Sequence, residues 1–248
     1  MHKAGFVNII GSPNVGKSTL TNAILGQKLV ITTAKAQTTR HRILGMLNTP
    51  EYQLILSDTP GIIAPAYKLQ ESMMQAVESV FDDADVLIYM VEIGQKSSKI
   101  PALISRLAKT NKPLILAINK IDSGNQNLLE ETIDAWKEQL PNADIWSISA
   151  LEKFQTESLM THIVALLPEH PPYFPKDQLT DKSERFVVNE VVREKILLNY
   201  DKEIPYSVEV ETESFKPSET IIRIRCVIYV ERTSQKGILI GHKGAALK

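Results

Sequence analysis

Eight residues near the start of the chain, Gly11-Ser12-Pro13-Asn14-Val15-Gly16-Lys17-Ser18, carry the sharpest chemistry in the sequence. They fit G-x-x-x-x-G-K-[ST] between an apolar run, Val7-Asn8-Ile9-Ile10, and a helix-patterned segment over 17–25 that includes Thr19. Glycines let the backbone wrap closely around phosphate, and successive N–H groups then point inward. The helix N-terminus adds a dipole that favours anions. Lys17 can place its ammonium between β- and γ-phosphates, and the Ser18 hydroxyl can coordinate Mg²⁺. Residues Gly11 to Thr19 are therefore expected to bind a nucleotide.

Asn119-Lys120-Ile121-Asp122 names the base, directly after the apolar run Leu114–Ile118. A carboxylate at Asp122 can accept both the N1–H and the exocyclic N2–H of guanine. Adenine offers neither hydrogen and would leave that carboxylate unpaired. Asn119 can bond N7 and brace the phosphate loop, while the Lys120 stem packs over the base. Ser149-Ala150 follows the next apolar run, where a small residue lets a backbone N–H approach the guanine O6. The expected ligands are GTP and GDP.

Asp58-Thr59-Pro60-Gly61 ends the apolar run 53–57. Asp58 can hold the Mg²⁺ water shell from the side opposite Ser18. Gly61 offers a backbone N–H that approaches the γ-phosphate with no Cβ in the way. The stretch Gln27–Arg42 reads as a mobile polar element containing Thr32, Thr33, Thr38, Thr39 and Arg40. One threonine must reach Mg²⁺ and the γ-phosphate; Thr39 is the first choice and Thr38 the reserve. Lys17, Thr39, Asp58 and Gly61 form the candidate catalytic set, with Ser18, Thr39 and Asp58 as metal ligands. Ile62 and Ile63 stand where many small GTPases place a water-orienting glutamine, so intrinsic hydrolysis is expected to be slow. Asn14 either ligates a potassium ion, supplying charge where an arginine finger otherwise does, or braces the loop.

These groups need a scaffold that presents strand ends side by side. Apolar runs at Phe6–Ile10, Gln53–Ser57, Val86–Val91, Leu114–Ile118 and Ile145–Ser149 alternate with helix patterns at 17–25, 68–82, 97–110, 127–140 and 156–167. Near-continuous apolar runs suit parallel strands covered on both faces. Arg42–Thr49 joins 53–57 through Thr49-Pro50-Glu51, too short for a parallel crossover, so this pair should be antiparallel. The fold class is α/β: a P-loop domain over 1–167, with a mostly parallel six-stranded sheet and helices on both faces.

Residues 168–175 hold four of the 13 prolines, and a semi-extended linker is expected over 168–183. Beyond it, 184–248 reads as a smaller α+β domain. It begins with a helix, Glu184–Asn199, whose Phe186, Val188, Val191, Val192 and Leu198 should be core. Strands at Tyr206–Phe215 and Thr220–Glu231 follow, separated by Lys216-Pro217-Ser218-Glu219, then a short helix from about Ser234. Gly241-His242-Lys243-Gly244 comes next, a form of turn that can clamp a single-stranded nucleic-acid backbone. This order is that of one form of the KH module, and RNA contacts are assigned to Gly241, His242, Lys243, Gly244 and Lys236. Residues 223–248 carry Arg223, Arg225, Arg232, Lys236, Lys243 and Lys248 against Glu231 alone, a net of +5. A KH groove needs a further helix and strand, so a truncated module is expected.

The whole chain of 248 residues has 28 Lys and Arg against 29 Asp and Glu, a net of −1, with 43% hydrophobic residues. That argues against wholesale disorder and against a polycationic coat for nucleic acid. The single cysteine, Cys226, is expected to be a buried reduced thiol in a cytoplasmic protein. Met1-His2-Lys3-Ala4-Gly5 lacks the apolar core expected of a signal peptide, and no apolar run approaches membrane-spanning length.

Across essentially its whole length the chain resembles the Era family of bacterial GTPases of small ribosomal subunit assembly, with a C-terminal type II KH domain. The resemblance lies in Gly11–Ser18, Asp58–Gly61, Asn119–Asp122 and Ser149-Ala150, in Ala36-Gln37-Thr38-Thr39-Arg40-His41-Arg42, and in Phe174-Pro175. It continues through Arg193-Glu194-Lys195, Ile204-Pro205-Tyr206-Ser207-Val208, Val230-Glu231-Arg232 and Gln235-Lys236-Gly237. It implies Mg²⁺-dependent GTP hydrolysis coupled to binding of 16S rRNA near its 3′ end on the 30S subunit. A monomer with some peripheral membrane association at the inner face is implied as well. The sequence departs from the family at Leu151-Glu152-Lys153-Phe154, which lacks the usual glycine. Two alternatives remain: a related GTPase of the large-subunit or tRNA-modifying type, or an RNA-binding regulator with negligible turnover.

Overall fold

A computed structural model describes the chain except residue 36, residues 64–67, residue 99 and residue 248, and describes no side chain at 76 or 78. Residues 36 and 248, which belong to the family-like segment and the basic stretch, lie outside the described residues. The chain divides into two compact units, one of Met1–Val30 with Thr39–Asp181 and one of Ile31–Thr38 with Lys182–Lys248.

The first unit is built on β1 (Lys3–Gly11), α1 (Lys17–Leu25), β2 (Ile43–Asn48), β3 (Tyr52–Asp58), α2 (Lys68–Asp83) and β4 (Val86–Glu92). It continues with α3 (Pro101–Ala108), β5 (Leu114–Asn119), α4 (Gln126–Gln139), β6 (Asp144–Ser147) and α5 (Thr156–Leu166). The sheet order is β2-β3-β1-β4-β5-β6. β2 pairs antiparallel with β3 and the other neighbours are parallel, as the short 49–51 turn requires. Strand alternation divides the core. Val86, Ile88 and Met90 face a cluster with Leu20 and Ile24 of α1 and Leu159 and Ile163 of α5. Leu87, Tyr89 and Val91 face another, with Val77 and Val80 of α2, Leu107 of α3 and Trp136 of α4. The chain leaves β1 toward β3 on one side and β4 on the other, and at such a switch point strand ends open a crevice for ligand.

Two elements are shorter than the sequence suggests. α3 starts at Pro101 instead of 97, because proline suits the first helical position and Ser98 Oγ accepts the amide of Ile100 (3.1 Å) in the preceding turn. β6 stops at Ser147, because Ser149 turns back to pair with Phe154 (2.9 and 3.3 Å).

The proline-rich stretch, expected as a semi-extended linker over 168–183, belongs through Asp181 to the first unit. The amide of Met46 donates to Leu179 O (2.9 Å) and that of Leu44 to the Asp181 carboxylate (2.9 Å), so the stretch covers the outer edge of β2. Gln53, fully buried on β3, secures its start. Its Nε2 donates to Asn48 Oδ1 (2.7 Å) and Phe174 O (2.8 Å), and its Oε1 accepts the amides of Tyr173 (2.7 Å) and Phe174 (3.0 Å). Gln53→Leu strands these partners at about 1–3 kcal/mol for each group left unpaired. The urea midpoint of this unit, followed by the fluorescence of Trp136 and Trp146, is expected to fall by the equivalent of about 2–4 kcal/mol. An unchanged midpoint contradicts this role.

The second unit contains α6 (Glu184–Asn199), β7 (Val208–Pro217), β8 (Ile222–Val230) and α7 (Thr233–Ile240). Ser183 caps α6 by accepting the amide of Phe186 (3.3 Å). β7 begins two residues later than expected, because Tyr206 and Ser207 donate to Glu203 O (3.0 and 3.1 Å) in a 3-10 turn around Pro205. The hairpin turn moves from 216–219 to 218–221, where Ser218 and Ile221 pair (3.0 Å). The core comprises Ile196, Ile204, Val208, Val210 and Leu239. Three readings need correction here. Val191 and Leu198 are exposed, at 47% and 56%, so they are not core. The buried face of α6 instead includes Glu190, Arg193 and Glu194 alongside Ile196 and Leu197. Cys226 is half-buried, its Sγ 3.5 Å from Thr212 Oγ1.

Candidate nucleotide-binding site

The phosphate loop runs from the end of β1 into α1, and its path depends on Gly16, at φ +102°. A Cβ there would lie 2.2 Å from Asn119 Nδ2, so glycine is required both by backbone conformation and by close approach. Asn119, at the end of β5, donates from Nδ2 to Val15 O (2.8 Å) and accepts the amide of Ala150 at Oδ1 (2.9 Å). One buried amide thus joins the phosphate loop, the 119–122 turn and the 149–150 turn.

Lys17 is buried, and its ammonium donates to the carbonyls of Gly11 (3.1 Å) and Ser12 (2.9 Å). Burial lowers its pKa to about 8, against the opposing charge of Asp58. Asp58, at the end of β3, is fully buried. Burial pushes its carboxyl up to about 6, although the Ser18 hydroxyl, the Lys17 charge, the Thr39 hydroxyl and the Thr59 amide all favour the ionised form. The Ser18 hydroxyl donates to Asp58 Oδ2 (2.7 Å), the Thr39 hydroxyl reaches the same oxygen (3.2 Å), and the two hydroxyls are 3.0 Å apart. Thr38 takes no part: its hydroxyl bonds Thr33 Oγ1 (2.7 Å) and Lys35 O (2.7 Å).

The three oxygens that meet are those the sequence assigned to a metal. Asp58 Oδ1 is buried without a hydrogen-bond partner among the described residues. Two hydroxyls and one carboxylate are hard donors that suit Mg²⁺, a cation that keeps several of its waters. The donor set fits the ion.

Thr59 holds this strand end against β1 by donating to Ile9 O (2.6 Å), and Pro60 is buried beside it. A Cβ on Gly61 would lie 2.7 Å from the Pro13 backbone, so the turn after β3 lies directly on the phosphate loop. The amide of Ile62 donates to Gly11 O (3.0 Å), and its side chain packs on the α2 side of the sheet. It offers water no hydrogen bond.

On the base side, Lys120 adopts φ +63° and leads into the 3-10 turn Ile121–Ser123, which leaves Asp122 exposed. The Lys120 ammonium pairs with Glu92 Oε2 (2.6 Å). Sequence reasoning missed Glu92, although it ends β4 directly opposite Asn119 in register. Lys153 (φ +56°) and Gln155 (φ +58°) take the left-handed conformation after Ser149 and Ala150, both of which are buried. In the second unit, Gly241 (φ +68°), Lys243 (φ +51°) and Gly244 (φ +78°) form a tight turn after α7. His242, Lys243 and Lys236 are exposed.

Comparison with known proteins agrees with both parts of this arrangement. Residues 6–120 match the family described as 50S ribosome-binding GTPase, and residues 203–248 match the KH domain family. GTPase Era of Thermoanaerobacter sp. (strain X514) is 45% identical over 253 aligned residues, covering 100% of this chain and 83% of the relative. GTPase Era of Geotalea daltonii is 46% identical over 247, covering 99% and 83%. A crystal structure of Era in complex with MgGDPNP and nucleotides 1506–1542 of 16S ribosomal RNA superposes with a TM-score of 0.93 at 38% identity, covering 100% and 85%. A variant of Aquifex aeolicus Era bound to GDP·AlF4− gives 0.92 at 38% identity, covering 99% and 85%. With a P-loop nucleotide site, a KH domain and full-length identity of this order, the chain belongs to the Era family of GTPases.

Proposed function

We propose that the chain is a GTP-driven switch that reads 16S rRNA near its 3′ end and acts in maturation of the small ribosomal subunit. The observation that carries the switch is the meeting of Ser18, Thr39 and Asp58 within 3.2 Å of one another beside Lys17. In this reading residues 1–167 form the nucleotide domain, 168–183 the connection and 184–248 the KH reader.

Gly11 to Thr19 cradle the phosphates, and Lys17 exchanges its two loop carbonyls for β- and γ-phosphate oxygens. Ser18, Thr39 and Asp58 hold Mg²⁺, which neutralises charge on the β- and γ-phosphates when bound. Gly61 donates its amide to the γ-phosphate. Thr59 and Pro60 support Asp58 from behind. Asn119 and Asp122 read guanine, Lys120 covers it, and Ser149 and Ala150 bring a backbone amide to its O6. Ordering of Thr39 and Gly61 by the γ-phosphate separates the triphosphate state from the diphosphate state. Gly241, His242, Lys243 and Gly244 clamp the RNA backbone, with Lys236 adding charge from α7. The RNA assignment draws its support from the KH match and from the relative crystallised with that RNA segment.

Isoleucines at 62 and 63 leave the attacking water without an amide to orient it. Asn14, at φ +63° in the phosphate loop, takes a potassium ion whose charge substitutes in part. Single-turnover hydrolysis is therefore expected to be faster in potassium than in sodium buffer and to change when small ribosomal subunits are added. Equal rates in the two salts remove the potassium site, and equal rates with and without subunits overturn the ribosomal reading. No turnover under any condition leaves an RNA-binding regulator. Within the same reading the protein works as a monomer in the cytoplasm. Peripheral attachment to the inner membrane face rests on the family resemblance alone; among the described residues no helix is long and apolar enough to cross a membrane.

A further inference from the structure

The stripe Glu190, Arg193, Glu194 and Leu197 has the i, i+3, i+4, i+7 spacing of a core-facing helix side, yet three of its four members are charged. All three are nearly solvent-free, at 8%, 3% and 3% exposure. A buried ion pair is a poor source of net stability, because desolvation offsets its attraction. What the stripe faces gives it another role. Arg193 Nε and Nη2 grip both oxygens of Glu190 (2.8 and 2.5 Å), and Nη2 also donates to the carbonyl of Thr38. Glu194 accepts the amide of Thr32 at Oε1 (3.3 Å). Lys35 donates to the carbonyl of Tyr200, the residue that follows α6, and pairs with Asp201 (2.9 Å). The described part of Ile31–Thr38 is thereby held at its start, middle and end within the second unit.

The bond to Thr38 has the strongest consequence. Thr38, whose carbonyl Arg193 holds, is joined by one peptide bond to Thr39, whose hydroxyl lies 3.0 Å from Ser18 Oγ and 3.2 Å from Asp58 Oδ2. Fixing that carbonyl sets the orientation of the 38–39 peptide plane, which also carries the Thr39 amide. We propose that Arg193, oriented by Glu190, is a positioning residue for Thr39, through which the helix opening the KH-bearing unit tunes GTP hydrolysis. This rests on the assignment of Thr39 to the metal and γ-phosphate site.

The full-length chain tests it in a double-mutant cycle of Glu190→Gln/Arg193→Met against Thr39→Ala, read by single-turnover GTP hydrolysis, Mg²⁺ dependence and GDP affinity. Glu190→Gln/Arg193→Met removes both charges of the pair together at similar volume, so neither member is left as a lone buried charge. Thr39→Ala is expected to slow hydrolysis about 10- to 100-fold. The paired substitution should slow it about 3- to 10-fold and raise the Mg²⁺ requirement in the wild-type background, but less than about twofold in the Thr39→Ala background. GDP affinity should stay within about twofold of wild type throughout, because the diphosphate state makes no use of Thr39. Hydrolysis unaffected by Thr39→Ala overturns the site assignment itself. A Thr39→Ala loss combined with no effect, or an equal effect in both backgrounds, from the paired substitution overturns the role of Arg193. If the paired variant fails to fold, Arg193→Lys carries the same comparison, since it keeps the charge opposite Glu190 and gives up the forked grip.

Discussion

Lys17→Ala is expected to lower GTP affinity by about a hundred- to ten-thousand-fold while leaving the protein folded. The ammonium is buried and donates to the Gly11 and Ser12 carbonyls at 3.1 and 2.9 Å, so it is already aimed into the loop that will surround phosphate. Charge-assisted hydrogen bonds contribute about 1.5–3 kcal/mol each, and bonds to two phosphates together reach about 3–6 kcal/mol. At about 1.4 kcal/mol per decade this is two to four decades in the dissociation constant. Burial holds the group near a pKa of about 8, so removing it also removes a desolvated charge and gives no reason for the fold to collapse. Titration with a fluorescent GTP analogue, beside a thermal melt, reads both quantities. An affinity within a few-fold of wild type places the phosphates elsewhere.

Asp122→Asn is expected to turn a guanine site into a xanthine site. The carboxylate has only acceptors, matched to the N1–H and N2–H of guanine. An amide offers one acceptor and one donor, matched to the N1–H and the C2 carbonyl of xanthine. The short turn after Lys120 leaves Asp122 exposed and free of the core, so the substitution perturbs no packing. GTP affinity should fall by about a hundredfold or more, and the xanthine nucleotide should overtake it. Competition between the two triphosphates measures the ratio directly. Parallel loss of both, or a retained preference for GTP, removes Asp122 from the base site.

Both predictions concern residues whose proposed role is legible in the amino-acid sequence, and the reason is locality. The phosphate loop is eight consecutive residues, and its chemistry follows from glycine backbone freedom, one ammonium and one hydroxyl at the start of a helix. Asp58-Thr59-Pro60-Gly61 and Asn119-Lys120-Ile121-Asp122 likewise end apolar runs that could be little other than buried parallel strands. The direction of one pairing is implied by the same pattern, because a three-residue turn between 42–49 and 53–57 permits only an antiparallel pair. Local rules err where a long-range partner decides the outcome. The 168–183 stretch reads as a semi-extended linker from its prolines, yet Gln53 and the outer edge of β2, more than a hundred residues away, bind it to the first unit through Asp181.

By itself, then, the sequence determined a guanine nucleotide site on an α/β scaffold followed by a KH-type unit, since each feature is a short run whose residue types leave few alternatives. The tertiary structure alone decided which threonine meets Ser18 and Asp58. Thr38 and Thr39 are adjacent and chemically identical, and only the partners brought in from elsewhere separate them. Thr39 meets two groups 19 and 21 residues away, whereas Thr38 turns back to Thr33 and gives its carbonyl to Arg193, 155 residues further along the chain. From sequence α6 reads as an ordinary amphipathic helix, and the charged stripe that it buries emerges only in the structure. A buried charge acquires meaning from what it faces, and contacts across so many residues are specified by packing, not by local spacing.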